Sequence, residues 1–305
     1  MSDQVSDQMS EDTSELAAAR VFDEHRGLLF TVAYEMLGSA ADAEDVVQET
    51  WLRWADVERG EVRDPRAYLV RIVTRLSLNR LRTLKRQRET YVGPWLPEPL
   101  VTAPDVADHV ELADSVSFAM LVVLETLSPL ERAVFVLRDV FGFEYDEIAS
   151  ATDRTPAAVR QLASRARAHV EERRPRFEPS ADAREVAERF FVAASTGDVQ
   201  GLLDVLSPDV VLLSDGGGKV KAALRPILGA DKVARWLHGV VPADTDLCFE
   251  WAVVNGSPAV LLRIDGQLEL VGSVLVIDGQ VAEIYLVRNP DKLPTSIDPR
   301  PVSLG

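Results

Sequence analysis

The segment from Ser128 to Val170 restricts this chain more than any other, because it spells two linked helical units with a tight turn between them. Ser128-Pro129-Leu130-Glu131 is a capping box with proline at the first helical position. Phe141-Gly142 breaks that helix, and a short amphipathic helix is expected around Tyr145 to Ser150. Thr152-Asp153-Arg154 is a polar turn, after which Thr155-Pro156 supplies the N-cap and first residue of a last helix. On that helix Val159, Leu162, Ala163, Ala166 and Val170 form one apolar stripe. Arg160, Gln161, Ser164, Arg165 and Arg167 fall away from it. Helix, turn and a second helix with a basic, hydrogen-bonding outer face is the helix-turn-helix arrangement, whose second helix enters the DNA major groove. An ordinary helical hairpin with a solvated arginine face has the same spacing.

The bulk charge pulls the other way. The chain of 305 residues carries a formal net charge of −16. Proteins that hold DNA unaided are usually basic, since phosphate contacts supply most of the non-specific affinity. The charge is uneven, however: arginine dominates Arg63 to Arg88 and Arg160 to Arg176. Acid gathers in Asp42 to Glu49, Glu98 to Asp114 and the C-terminal third. Basic faces on an acidic body suit a protein that reads DNA while held by a larger partner. Cys248 is the one cysteine, which excludes internal disulfides and cysteine-based zinc clusters; on a predicted strand it reads as buried filler. No apolar run is long enough to span a bilayer, and a cytoplasmic protein with no membrane contact is expected. No cofactor or metal is expected.

Three folded blocks are predicted. Residues 1–14 read as a polar, acidic, disordered tail. Residues 15–90 read as all-helical, with Phe22, Leu28, Leu29, Val32 and Leu37 at helical spacing. Gly38-Ser39 ends one helix and caps the next, with Asp42 at its third position, and a long helix starts at Pro65. Residues 91–114 hold Pro94, Pro97, Pro99 and Pro104 and read as an extended linker. The second block, 115–175, is the helix-turn-helix unit, and Pro175 and Pro179 mark its end. The third, 181–293, changes character: helices over 184–195 and 199–206 precede strands over 210–214, 247–254, 259–264, 267–277 and 281–287. Asn255-Gly256, Asp265-Gly266 and Asp278-Gly279 stand between consecutive strands as hairpin turns. With a helix inserted near Asp231 to His238, this is an α+β plan built on an antiparallel meander. Residues 294–305 read as a disordered tail.

The run from Asp42 to Trp54 resembles the second conserved region of bacterial sigma factors. Val47, Trp51 and Trp54 make a packing stripe, while Asp45, Gln48, Glu49 and Leu52 share another face. Without the resemblance, that face reads as a solvated acidic surface. The resemblance implies that it docks on an arginine-bearing coiled coil of the polymerase β′ subunit. The Pro65 to Arg86 helix, with Leu69, Ile72, Val73 and Leu76 inward, corresponds to the family's −10 reader. Arg71, Arg75, Asn79, Arg80 and Arg82 would then hold the opened single strand, and the Asp56 to Asp64 loop would shape a pocket for a flipped base. A structural, snorkelling role for Arg71 and Arg75 stays open; Arg80 suits either role.

The Ser128 to Val170 unit matches the family's fourth region, reader of the −35 element. Arg160, Gln161, Ser164 and Arg165 are implied as base or phosphate contacts, with Arg154 and Arg167 meeting the backbone. With no third region between the blocks, the layout is similar to extracytoplasmic-function sigma factors. The implied partners are the core polymerase β′ and β subunits and promoter DNA.

Three short strings narrow the resemblance further. They are Trp95-Leu96-Pro97-Glu98-Pro99, Asp215-Gly216-Gly217-Gly218-Lys219 and Asn289-Pro290-Asp291-Lys292-Leu293. They look like signatures of the branch with a fused SnoaL-like domain, a cone fold similar to nuclear transport factor two. The implied fold is two all-α sigma domains followed by an α+β cone. In that branch the extension acts in place of a separate anti-sigma protein and regulates from within the chain. Asp215, Lys219, Trp236 and His238 are the side chains that could line a site in the cone, whose ligand the resemblance leaves unassigned. Lys219 is followed by Val220 instead of Ser or Thr, so nucleotide binding is rejected. The expected mechanism is recognition and strand capture, with no bond-making. The alternatives are a SnoaL-like enzyme, or a ligand sensor fused to a DNA-binding repressor.

Overall fold

The computed structural model describes residues 2–57, 62–102, 117–173, 182–240 and 247–294. The chain falls into two compact units, one built chiefly from residues 1–85 and 125–169, the other from 86–124 and 170–300. Among the described residues no helix is long and apolar enough to cross a membrane.

The first unit is helical. α1 spans Ser2–Leu37. The segment expected to be a disordered tail is therefore helical backbone from Ser2, which follows from the absence of any glycine or proline before Gly27. From Leu28 to Leu37 nearly every side chain of α1 is buried, as in a helix enclosed on all sides. Gly38 ends it at φ 68, and the Ser39 hydroxyl accepts from the Asp42 amide at 3.1 Å to start α2, Ala40–Ala55. Trp54 of α2 donates its indole N–H to the Ala18 carbonyl at 3.0 Å, and Phe22 meets Trp51 edge-on at 5.2 Å between centroids. α3 spans Pro65–Arg88 and buries Leu69, Ile72, Val73 and Leu76.

α4, Phe118–Leu124, belongs to the second unit and is described below. α5, Pro129–Phe135, opens on the Ser128/Glu131 capping box and runs into a π-helical turn, Val136–Val140, that the sequence pattern did not signal. α6 spans Tyr145–Thr152 and ends on Asp153 in the left-handed region, φ 55. α7 spans Pro156–Arg173, entered through a Thr155 hydroxyl that accepts from the Ala158 amide at 3.2 Å. The expected stripe of Val159, Leu162, Ala163, Ala166 and Val170 is buried in full.

The second unit is built on a six-stranded sheet. Helices α8, Ala183–Thr196, and α9, Val199–Val205, precede β1, Leu206–Asp215. A two-residue β2, Ile227–Leu228, and α10, Ala230–Val240, follow. The meander is β3, Leu247–Val254, β4, Ser257–Ile264, β5, Gln267–Ile277, and β6, Gln280–Val287. Asn255, Asp265 and Asp278 have φ of 49–51°, and each is followed by a glycine at positive φ, the geometry their hairpin turns require. The sheet order is β2-β1-β6-β5-β4-β3. β1 runs parallel to β6, a pairing that no turn announces and that departs from the all-antiparallel expectation.

Both faces of this sheet are covered. On one, Phe190 and Phe191 of α8, Leu202 of α9 and Val233 and Leu237 of α10 pack on Leu212, Val260, Val274, Ile284 and Leu286. On the other, Leu96 and α4 residues Phe118 and Ala119 pack on Val254, Leu261, Val271, Tyr285 and Val287. Strands buried on both faces read as near-continuous apolar runs, as β5 and β6 do. Cys248, expected as buried filler, is exposed. It lies on edge strand β3, alternating with Phe249, whose ring packs on the α8–α10 side.

Candidate functional site

Three surfaces and one buried cluster receive the residues singled out in the sequence. On α2, Asp45, Gln48, Glu49 and Leu52 are all exposed, opposite the buried Val47 and Trp54. Leu52 is 58% exposed and leaves an apolar centre within an acidic face. Glu49 pairs with Arg53 at 2.7 Å, and Asp45 lies 3.9 Å from Arg80.

On α3 the five candidate residues differ in what they touch. Arg71 lies over the Tyr68 ring, 4.8 Å from its centroid. Arg80 bonds Asp42 at the start of α2. Arg82 donates to Asn79 at 2.9 Å, and both are exposed. Arg75 reaches the helix-turn-helix instead, bonding Ser150, Ala151 and Asp153. A cleft of about 640 Å³ lies beside this helix, lined in part by Tyr68, Arg71, Asp146 and Ser150. Of the Asp56 to Asp64 loop, residues 58–61 lie outside the described ones.

On α7, Arg160, Gln161, Ser164 and Arg165 are exposed together, as is Arg154 before it. Arg160 lies 5.5 Å from the centre of the Tyr145 ring. Arg167 bonds Asp139 at 2.6 Å, and Arg165 lies 3.9 Å from Glu131. The Ser128 hydroxyl donates to Glu131 at 2.6 Å and holds that carboxyl below its ordinary range.

The three short strings of the C-terminal half and the linker meet at Asp215, which is fully buried at the end of β1. Lys292, 5% exposed, donates to Asp215 Oδ2 at 2.7 Å and to the Leu96 carbonyl at 2.6 Å. The Leu96 amide donates to the same Oδ2 at 2.9 Å. Tyr91 donates its hydroxyl to Oδ1 at 2.5 Å, and the Gly217 amide adds a bond at 3.0 Å. Lys292 also stands 3.1 Å from the centre of the Trp95 ring, which Arg88 covers at 4.4 Å. Asn289 donates to the Tyr91 hydroxyl at 2.9 Å. Burial, with the Asp215 carboxylate second, pushes the Tyr91 phenol well up, so it stays protonated as donor.

Within these strings Pro97 is buried, Glu98 half-buried, and Leu293 packs on the sheet. Gly216 and Gly217 lie where a Cβ would meet Val220 O at 2.6 Å and Asn289 Nδ2 at 2.4 Å, and Gly218 abuts Val92. Lys219 pairs with Asp291 in solvent, and Pro290 is exposed. The linker continues along β3: Val101 bridges Val254, and Leu100 and Asn255 bond reciprocally through backbone and side chain. Tyr91 and Arg88 were not singled out as contacts in the sequence, and Asn255 was read there only as a hairpin turn, without its bond to Leu100.

The four side chains considered for a site in the cone are not brought together. Asp215 is buried against the linker, Lys219 is exposed, Trp236 packs among the helices, and His238 is exposed beside Gly197. Among the described residues no group of three or more His, Cys, Asp or Glu could hold a metal ion.

Comparison with known proteins bears on both halves. Residues 21–87 match Sigma-70 region 2, and residues 117–170 match Sigma-70, region 4. The ECF RNA polymerase sigma factor SigJ of Mycobacterium tuberculosis is 40% identical, over 89% of this chain and 91% of that protein. The chain belongs to the extracytoplasmic-function sigma factors. A probable member of the family from the same organism, SigI, is 34% identical over 92% of this chain and 95% of its own. The crystal structure of Mycobacterium tuberculosis SigJ is 37% identical, with a TM-score of 0.71, and covers 89% of this chain and 96% of that one. This sigma factor thus has helical regions 2 and 4 followed by the β-rich, SnoaL-like domain that the strings implied. It is a promoter-recognising factor for transcription initiation, of a family that acts with RNA polymerase and DNA.

Proposed function

We propose that this sigma factor docks on the β′ and β subunits of core polymerase and brings promoter DNA to it. Docking on β′ uses Asp45, Gln48, Glu49 and Leu52. Arg71, Arg75, Asn79, Arg80 and Arg82 hold the opened −10 strand. Arg160, Gln161, Ser164 and Arg165 read −35 base edges or phosphates, with Arg154 and Arg167 on the backbone. The observation that carries this reading is the exposure of Arg160, Gln161, Ser164 and Arg165 as one face over a fully buried stripe. The net charge of −16 fits a factor whose DNA affinity is largely supplied once polymerase positions it in the cytoplasm. No bond is made or broken by the factor itself.

Regulation comes from the C-terminal domain. Asp215 and Lys292 bind Tyr91, Trp95 and Leu96, which lie in the chain between regions 2 and 4. Holding that segment on the sheet fixes where region 4 can go relative to region 2. A bias of about 1–3 kcal/mol between held and released linker is enough for a useful switch.

The test is transcription in vitro with purified core polymerase and the full chain on a promoter pool. Promoter-specific transcripts are expected, and they should vanish, with core pull-down, in Asp45→Arg/Glu49→Arg. No transcripts from a folded wild-type protein would move the reading to a DNA-binding repressor.

A further inference from the structure

Arg75 joins the −10 helix to the helix-turn-helix. Arg75 leaves α3 and donates from Nη2 to the Ser150 carbonyl at 3.1 Å and to Asp153 Oδ1 at 2.7 Å. Its Nε reaches the Ala151 carbonyl at 3.4 Å. Ser150 and Ala151 lie in the last turn of α6, where carbonyls have no intrahelical donor and a cation is favoured. Asp153, the left-handed residue that ends α6, turns its carboxylate to the same guanidinium.

Two further arginines join the same two regions. Arg66 at the start of α3 lies 4.4 Å from the centre of the Phe143 ring. Arg132 of α5, 2% exposed, donates to the Glu35 carbonyl in the last turn of α1 at 2.9 Å. Each contact pairs a residue of the region 2 match with one of the region 4 match.

We infer that Arg75 is the pin of a closed state in which regions 2 and 4 cannot both engage a promoter. The −10 and −35 elements lie about 85 Å apart along a duplex rising 3.4 Å per step. Arg75 instead holds the two readers within one hydrogen bond of each other. Its guanidinium can cap α6 or meet DNA, and the two uses exclude one another. Polymerase and promoter, by holding the regions apart, release Arg75 for DNA; closure withdraws it. The consequence for transcription rests on the promoter reading above, but the contact itself is testable without DNA or polymerase.

The experiment is pulsed EPR on the full chain carrying Cys248→Ser, with spin labels at Arg20→Cys on α1 and Ala168→Cys on α7. The unsubstituted pin should give one dominant short distance. Asp153→Lys should raise the longer-distance population about two- to fivefold, the range expected for losing an exposed ion pair. Arg75→Ala, which also removes the bonds to the Ser150 and Ala151 carbonyls, should raise it at least as far. Asp153→Asn keeps the left-handed turn and should move the distribution the same way by less, so the test holds even where the lysine disturbs the fold. Unchanged distances in Asp153→Asn and in a folded Asp153→Lys overturn the inference, as do unchanged distances in Arg75→Ala. A chain that opens as expected yet directs no transcription would refute the promoter reading and leave the pin intact.

Discussion

Lys292 and Asp215 form an ion pair of 2.7 Å in which neither side chain is more than 4% exposed. Asp215 closes β1 and Lys292 follows β6, the two strands that run parallel, so the pair locks the end of that ladder onto the linker. Such a pair adds little net stability when formed but leaves an uncompensated charge when halved. Lys292→Met should therefore destabilise the C-terminal unit by about 3–5 kcal/mol in chemical denaturation. Lys292→Met with Asp215→Asn should cost clearly less than the two single changes summed. Additive losses would mean the two groups act independently.

Gly217 has φ 59, and a Cβ there would sit 2.4 Å from Asn289 Nδ2, whereas Gly279 at φ 73 has nothing within 4 Å. Gly279→Ala should carry only the left-handed penalty of about 1–2 kcal/mol. Gly217→Ala should exceed it, because Asn289 must also surrender its bond to Tyr91. Thermal melts of the two variants side by side decide this; equal melting temperatures would show that the loop yields freely.

On α7, Gln161→Ala and Arg165→Ala should each reduce discrimination between cognate and altered −35 sites by roughly five- to 150-fold, the equivalent of about 1–3 kcal/mol per base contact. Arg154→Ala should weaken binding to all sequences alike and flatten its salt dependence. Competition binding by the polymerase holoenzyme separates the two patterns.

Glu35 is buried at the end of α1, and neither of its carboxylate oxygens has a hydrogen-bond partner among the described residues. Burial, against the opposing pull of Arg132, raises its pKa from 4.5 to about 8. The folded chain then keeps a proton that the unfolded chain releases above pH 4.5. This group's contribution is full below that pH and is lost as pH rises toward 8, at up to about 1.4 kcal/mol per pH unit. Glu35→Gln should flatten the stability profile of the helical unit between pH 5 and 8, measured against wild type by urea titration; identical slopes would rule the burial argument out.

Much of this was legible because local chemistry and tertiary outcome agree. The Ser128 and Ser39 caps, the Asp153 turn, the α7 stripe and three Asx-Gly hairpins are short-range signals, and each is found where its residues stand. The three strings holding Trp95, Asp215 and Lys292 stood out only by resemblance, and their convergence was not legible, since no spacing rule links residues so far apart. Three features lay beyond reach for a related reason. The parallel β1–β6 ladder, the tie from Arg75 to α6 and the burial of Glu35 all depend on which distant elements meet. Cys248 was misplaced because a strand pattern tells which residues alternate, and not which strand lies at the edge.

The sheet that Leu96 and Phe118 cover sets an order of events at the ribosome. Phe118 emerges roughly 170 positions before Tyr285, its aromatic neighbour on β6, which at 5–20 residues per second is a wait of about ten to thirty seconds. Through that interval the greasy side of α4 and the linker has been made and its cover has not. Each molecule therefore passes once through an uncapped youth, in which the linker and α4 exist ahead of the sheet they will cover.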